Sequence, residues 1–369
     1  MYRKTWLEVD LDAVMHNVRT IREICGKRFI AVLKANAYGC GDIEVAEAVC
    51  RAGAEMIAVS STDEAVMIRN RGYGGPLLIV GAVDSQDLPA FLEYDIAVPA
   101  YSMAFVDEVT ARDCRGLRVH IKVDTGMNRI GFRDIPDMQE ALARMTAAGC
   151  RVEGIFTHFA CADTDPDMTR RQYDAFAAAV GALDHAFEWI HCDNSDASVS
   201  FDAPVSNACR VGISLYGTST FCHELRPALS LYTTMTMVKH VPAGETIGYG
   251  ATYTAPEDVI IGTLPIGYAD GLFRRNQGRT VYVGDQPAEI VGRVCMDQCM
   301  IRLPYEYPAG TVVEIFGPHL SIDQMAEELQ TIPHEIMTLL SDRVTRTYKE
   351  DGQFVLEGNT RIDASMKKK

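Results

Sequence analysis

The stretch Phe29-Ile30-Ala31-Val32-Leu33-Lys34-Ala35-Asn36-Ala37-Tyr38-Gly39-Cys40-Gly41 decides how the rest of the chain is read. Five apolar residues in a row predict a strand buried on both faces, the kind found in parallel sheets. No G-x-G-x-x-G fingerprint follows it, which argues against an open dinucleotide-binding sheet. The run stops on a lysine. A lysine held out of water at a strand end loses affinity for its proton, becomes a usable amine near neutral pH and can form an imine with a carbonyl cofactor. An ordinary strand-end lysine snorkels to solvent instead, so the company of Lys34 has to decide between the two.

Seven more apolar runs follow at similar intervals: Met56 to Ser60, Leu77 to Val80, Ile96 to Pro99, Leu117 to Val123, Val152 to Phe159, Trp189 to Cys192 and Cys209 to Leu215. Between them lie segments of helical periodicity such as Ile43 to Ala52 and Met138 to Ala148. Eight strand-helix units with short connections predict an α/β fold, a (β/α)8 barrel of the TIM type, over residues 11–228. Beyond Pro227 the texture changes to Thr, Val, Ile and Tyr punctuated by Pro242-Ala243-Gly244, Gly284-Asp285 and Pro308-Ala309-Gly310. This predicts a mainly antiparallel β domain over residues 229–369, interrupted by one short helix near Ile322 to Leu329.

A chain of 369 residues has length enough for two hydrophobic cores. Its formal charge of -15 argues against nucleic acid or an anionic membrane as partner, since the only basic run is the short Lys367 to Lys369 tail. The opening Met1 to Asp10 lacks the apolar core of a signal peptide and no later segment is long enough to span a bilayer, so a cytoplasmic protein is expected. The eleven cysteines are scattered, with no paired spacing, and are expected to be reduced thiols. Cys295 and Cys299 have no second pair or nearby histidine to complete a zinc site, and no metal is expected.

In a barrel of this class chemistry occurs at the carboxyl ends of the strands. The first run ends in Lys34 and Tyr38, the fifth in Lys122 followed by Asp124 to Arg129, the sixth in His158, the seventh in Asn194-Ser195, and the eighth carries Arg210, Gly212 and Ile213. These suit pyridoxal 5'-phosphate. Ser195 and Tyr38 offer hydroxyl donors to a phosphate, Gly212 and Ile213 offer backbone N–H groups, and His158 could stack on the ring or be a structural histidine. Arg210 is the most diagnostic. An arginine facing the pyridine nitrogen can only donate, which leaves the ring a weaker electron sink than a carboxylate would.

At these residues the chain resembles the alanine racemases, and the resemblance runs through nearly its whole length. Ala31 to Gly39 resembles the family's cofactor-lysine signature and Val123 to Gly131 its barrel-rim arginine motif. Gly248 to Tyr253, Pro265 to Gly271 and Gly292 to Asp297 are similar to three further motifs in the β-rich part. The resemblance implies a barrel followed by a β domain that recruits residues 1–10, and a head-to-tail homodimer with composite active sites. It implies interconversion of L- and D-alanine, a peptidoglycan precursor, by two bases on opposite faces of the cofactor, Lys34 and the partner subunit's Tyr249. It also implies that Arg129 lowers the phenol's pKa or orients it, and that Met296 offers a backbone N–H to the substrate carboxylate. Tyr268 would line the entrance, and Lys122 matches a lysine often carbamylated in the family.

Two positions depart from the family pattern. Cys40 stands where the family usually has histidine, with local packing the expected consequence. In Leu340-Ser341-Asp342-Arg343-Val344-Thr345-Arg346, Asp342 stands where a tyrosine normally touches the phosphate. That exchange removes one donor, enlarges the pocket and supplies an acceptor for a hydroxyl, which leaves serine open as a further or preferred substrate, as in the serine racemases of vancomycin resistance. Two other readings remain: a decarboxylase of the same fold, for which a carboxylate in place of Arg210 is expected, and a non-catalytic vitamin B6 carrier, which has no use for Tyr249.

Overall fold

A computed structural model describes residues 2–358, with side chains to residue 355. Met1, the Lys367 to Lys369 tail and the far end of the expected 229–369 domain lie outside the described residues. The described residues divide into two compact units, one of residues 13–37 and 41–226, the other of residues 2–12, 38–40 and 227–358. Strand β1 (Thr5–Asp10) belongs to the second.

The first unit is the eight-stranded barrel. Its strands are β2 (Arg28–Val32), β3 (Met56–Val59), β4 (Leu77–Ile79), β5 (Val98–Ala100), β6 (Arg118–Lys122), β7 (Arg151–Phe156), β8 (Trp189–His191) and β9 (Ala208–Val211). All the strand pairs are parallel, β9-β2-β3-β4 and β5-β6-β7-β8. The two sets join through the Leu78–Ala97 bridge on one side. On the other they join through Asn207 N–H to Ile190 O (2.8 Å) and Arg210 N–H to Asp193 O (2.9 Å). Strands buried along their length, such as Met56–Val59, explain the unbroken apolar runs of the sequence. The connecting helices each bury one stripe, as Phe105, Val106 and Val109 do in Met103–Thr110.

Seven of the eight strands are shorter than their apolar runs, β2 alone matching its run in length. The eighth run ends as strand at Val211, because Gly212 takes φ −120°, ψ −83° and starts a 3-10 turn over Ile213–Tyr216. That turn carries apolar side chains inward, so periodicity could not separate it from strand.

The second unit is a ten-stranded, largely antiparallel sheet with a two-stranded ribbon. After β10 (Leu229–Thr234) and β11 (Met237–Val241) comes the ribbon of β12 (Thr246–Ile247) and β13 (Tyr253–Thr254). Then follow β14 (Val259–Leu264), β15 (Thr280–Val283), β16 (Gln286–Val291), β17 (Cys299–Leu303), β18 (Val312–Phe316), β19 (Thr345–Glu350) and β20 (Gln353–Gly358). The sheet order is β11-β14-β17-β16-β15-β18-β10-β1-β19-β20. Strand β1 lies inside it, antiparallel to β10 and parallel to β19, and alternates buried and half-buried residues as a one-sided sheet requires.

Two helices rather than one intervene before β19. Ile322–Leu329 is opened by a Ser321–Gln324 capping box, and Pro333–Leu339 follows with proline in its first turn. The second is only seven residues long, too short for its periodicity to register in the sequence. Four of the scattered cysteines also meet in pairs, Cys114 with Cys150 (Sγ to Sγ 3.4 Å) and Cys25 with Cys209 (3.8 Å).

Ile57 is fully buried within β3. Ile57→Ala is expected to cost about 2–5 kcal/mol and lower the barrel's urea midpoint. An unchanged midpoint would place Ile57 outside the packed interior.

Candidate active site

Lys34 sits where β2 ends, and the backbone turns the wrong way immediately after it. Ala35, Asn36, Ala37 and Tyr38 have φ of 53°, 57°, 52° and 58°, a left-handed turn made entirely of L-residues. Each such residue costs about 1–2 kcal/mol, so the surroundings must hold it. Ala37 N–H bonds Leu33 O (2.9 Å), Tyr216 Oη donates to Ala37 O (2.6 Å), and Asn36 Oδ1 accepts from Asp42 N–H (3.0 Å). Glu64 closes the near end, taking Ala35 N–H at 2.7 Å and Ser60 N–H at 2.7 Å. Burial, chiefly, and the Arg129 charge lower the pKa of Lys34, while Glu64 opposes them.

Around this lysine the barrel gathers cations. Lys122 is buried, donates to Val123 O at 2.6 Å, and is pushed down to about 7 by burial and then by Arg210 and Arg129, against Asp124. The loop after it is an Asp124-centred turn: Asp124 Oδ1 accepts from Gly126 N–H (3.1 Å) and Asn128 N–H (2.9 Å). Gly131, at φ 121°, admits no side chain, since a Cβ would lie 2.9 Å from Lys122 O. This loop carries Arg129 at its exposed edge.

Arg210 is buried, and both its terminal nitrogens are occupied. Nη1 donates to His191 O (2.7 Å) and His191 Nδ1 (2.9 Å), Nη2 to Thr157 O (2.7 Å), His158 Nδ1 (3.1 Å) and Cys192 O (3.4 Å). Its Nε–H donates to no described residue. Because a guanidinium cannot accept, His158 must present a bare Nδ1, and burial followed by Arg210 holds its pKa well below that of free imidazole. Ser195 Oγ accepts from Gly212 N–H (3.1 Å), and its own O–H donates to no described residue. Asn194 caps the next turn, Oδ1 accepting from Ala197 N–H at 3.0 Å. Ile213 is buried in the turn that follows.

Pyridoxal phosphate fits this donor set. An amine with a lowered pKa, a guanidinium with its Nε–H unspent and a serine hydroxyl with its proton unspent match an aldehyde, a ring nitrogen and a phosphate.

Tyr38, Tyr249, Tyr268, Met296 and Asp342 belong to the other unit. There Tyr38 is buried, which raises its phenol pKa, and its ring lies 5.8 Å from that of His334. Tyr249 is 71 % exposed on a turn between Gly248 (φ 78°) and Gly250 (φ 72°), and with Tyr268, Arg274, Arg293, Val294 and Cys295 it lines a cavity of 470 Å3. Met296 is exposed, and its carbonyl accepts from Ala269 N–H at 3.0 Å. Asp342 is exposed in a turn that Arg346 clamps, donating to Leu340 O (2.7 Å), Ser341 O (2.6 Å) and Gly39 O (2.9 Å). Cys40 is buried, its Sγ 3.9 Å from Tyr38 O.

Sequence reasoning missed Glu64, His120, His191, Arg274 and Arg293. Glu64 had a signal, Ser61 three residues earlier, a capping-box spacing whose glutamate turns to Ala35 and Ser60 instead. The histidines were polar residues inside apolar runs, which barrel-facing strand positions would have flagged.

The family model for the alanine racemase N-terminal domain matches residues 9–220, and that for the C-terminal domain residues 228–348. The chain belongs to the alanine racemase family. That family consists of pyridoxal-phosphate-dependent isomerases. Alanine racemase 1 of Bacillus subtilis is 38 % identical over 370 residues, covering 96 % of this chain and 95 % of the relative. An alanine racemase from Bacillus anthracis, solved with bound L-Ala-P, superposes with TM-score 0.94 at 37 % identity, covering 98 % of this chain and 99 % of that one. A histidine racemase from Leuconostoc mesenteroides superposes with TM-score 0.89 at 30 % identity, covering 95 % and 99 %. Among the described residues no helix is long and apolar enough to cross a membrane.

Removing the Arg129 charge by Arg129→Leu should raise the pKa of Lys34 in the cofactor-free protein, and Glu64→Gln should lower it further. NMR titration of 13C-methylated lysines, with Lys34→Ala marking the resonance, reads both; a Lys34 pKa indifferent to Arg129 would contradict the electrostatic picture.

Proposed function

We propose that this alanine racemase family member interconverts L- and D-alanine through two bases, its own Lys34 and Tyr249 of the partner subunit. The observation that carries the reading is the amine of Lys34, fixed at a strand end with a lowered pKa, together with the Arg210 guanidinium, whose Nε–H is unspent and which with Lys34 bears on the same buried His158. Bound pyridoxal phosphate supplies the electron withdrawal that makes the substrate α-C–H acidic. One base returning its own proton to the same face restores the starting enantiomer, so inversion needs a second on the opposite face. Lys34 Nζ serves the D-side proton and the partner subunit's Tyr249 serves the L-side proton at its phenol oxygen. The exposure of Tyr249 in a single chain supports a homodimer with composite sites.

The remaining roles follow from chemistry. Arg210 donates to the ring nitrogen; His158 packs on the ring; Tyr38, Asn194, Ser195, Gly212 and Ile213 hold the phosphate. Arg129 orients the phenol, Met296 N–H binds the substrate carboxylate, and Tyr268 guards the entrance. Lys122, largely unprotonated above about pH 7, is a good nucleophile toward CO2. It loses a proton as its nitrogen bonds the carbon, and the resulting carbamate anion would brace Arg129. Residues 11–228 act as the cofactor-binding domain and residues 229–369 with 1–10 as the domain that lends the second base. The expected setting is cytoplasmic.

Asp342 favours serine as a second substrate. Its turn is tied through Arg346 to the carbonyl of Gly39, at the end of the lysine octet, and a short carboxylate there accepts a hydroxyl that a tyrosine ring would exclude. A serine-preferring enzyme is the stronger form of the same reading.

In deuterated solvent with added cofactor, the α-proton of L-alanine should wash out while both enantiomers appear. Released carbon dioxide would indicate the decarboxylase, and no exchange the carrier. Lys34→Ala should lose the yellow absorbance of lysine-bound cofactor, whereas Tyr249→Phe should keep the colour and exchange from one side only; racemisation at the original rate would remove Tyr249 as the second base.

Asp342→Tyr should shift kcat/KM from serine toward alanine. An unaltered ratio would clear Asp342 of the preference.

A further inference from the structure

From Arg210 a line of hydrogen bonds runs through the barrel interior. Arg210 Nη1 meets His191 Nδ1 at 2.9 Å, His191 Nε2 meets His120 Nδ1 at 2.9 Å, and His120 Nε2 meets Glu153 Oε1 at 3.4 Å, the longest link. All four residues are buried. Glu153 is held in turn by Arg118, with Nη2 2.9 Å from Oε1, and by Arg151 Nε, 3.1 Å from Oε2.

The two ends of this line fix its direction. Arginine can only donate and an ionised carboxylate can only accept. Burial raises the Glu153 pKa, but hydrogen bonds from His120 and Arg118 overcome it and hold the group at about 2, so it is ionised. Burial lowers both histidine pKa values, and each is neutral, with one proton to place. His120 then carries its proton on Nε2, toward Glu153, and offers a bare Nδ1. His191 must put its own proton on Nε2, toward His120, and offers a bare Nδ1 to Arg210. Reversing either imidazole sets two donors, or two bare nitrogens, face to face.

We propose that Glu153 is a positioning residue for Arg210, setting through His120 and His191 the tautomer that keeps the guanidinium's acceptor in place and its Nε–H aimed at the cofactor's ring nitrogen. The inference rests on the proposed role of Arg210. A plain structural role, Glu153 neutralising Arg118, predicts that cutting the chain between them and Arg210 changes nothing at the cofactor.

Three variants separate these. Glu153→Gln keeps a carbonyl acceptor for His120. Glu153→Leu removes it. His120→Leu breaks the line while leaving the Glu153–Arg118 ion pair intact, and so covers the case in which Glu153→Leu fails to fold. In the cofactor-free protein, 15N–1H correlation of histidine side chains should show Nε2-protonated His120 and His191 in the wild type, retained in Glu153→Gln. In Glu153→Leu and His120→Leu the signal of His191 should split into both tautomers. In the loaded enzyme those two variants should shift the bound cofactor's absorbance and lose about tenfold in kcat, as outer hydrogen-bond partners of ligating histidines do, whereas Glu153→Gln should be rescued. KM for alanine should stay within about twofold, because the line touches no substrate group.

A proton on His191 Nδ1 in the wild type would overturn the proposal, as would a His120→Leu enzyme with unaltered tautomer, absorbance and kcat. Arg210→Leu tells the two levels apart. If it shifts the absorbance while the line variants do not, Glu153 is dismissed and the reading of Arg210 stands; if it leaves the absorbance alone, that reading fails while the tautomer result is judged separately.

Discussion

The left-handed turn from Ala35 to Tyr38 is the constraint on which the site depends. It sets where the Lys34 amine leaves the strand, and three of its four residues, Ala35, Ala37 and Tyr38, have no intrinsic liking for the conformation. Glycine would have relieved the strain, and its absence means that position is enforced by neighbours. Those neighbours come from four parts of the barrel: Leu33 just past β2, Asp42 at the start of the next helix, Glu64 on the helix after β3 and Tyr216 beyond β9. A barrel that closes imperfectly therefore mispositions its lysine first. Strain of this kind persists only where the surrounding structure over-determines it.

Electrostatics builds on that geometry. Lys34, Lys122, Arg129 and Arg210 share one end of the barrel, and each guanidinium depresses the lysines near it. The guanidiniums of Arg129 and Arg210 stay charged there in a chain whose total charge is -15, which favours anionic phosphate and carboxylate groups at one end of an otherwise acidic molecule. Burial first, and Arg210 after it, keep His158 and His191 neutral and make them acceptors for Arg210. Protonation states and hydrogen-bond directions here are one problem with one consistent solution.

Much of this was legible in the sequence because the barrel strands are buried on both faces and announce themselves as unbroken apolar runs, each followed by its polar residue. The number of strands, the change of texture after Pro227 and the lysine at the first strand end all follow from that. What escaped detection had a physical cause in each case. The turn after Gly212 has the composition of a strand; Pro333–Leu339 is too short to show a period. Positive φ at Ala35 and Ala37 has no local signature, since alanine does not request it. Pairs such as His120 with His191 and Cys114 with Cys150 are set by register between neighbouring barrel segments, which one sequence does not display.

The place of β1 in its sheet has a consequence for how the molecule comes to be made. Residues 5–10 come before every other described element of the two units, yet their partners β10 and β19 lie more than two hundred residues later. The barrel's own residues all fall within 13–226 and can pair as they emerge, strand after strand. The opening strand meanwhile has nothing to bond to and presents alternating apolar residues with unfilled backbone groups, a liability for any exposed strand. Its six-residue length and the charges of Glu8 and Asp10 limit that hazard until β10 and β19 have been made. The sheet of the second unit is thus assembled from strands made far apart in time, and a nascent product stopped short of β10 would have a barrel in hand and a loose strand with no sheet to enter.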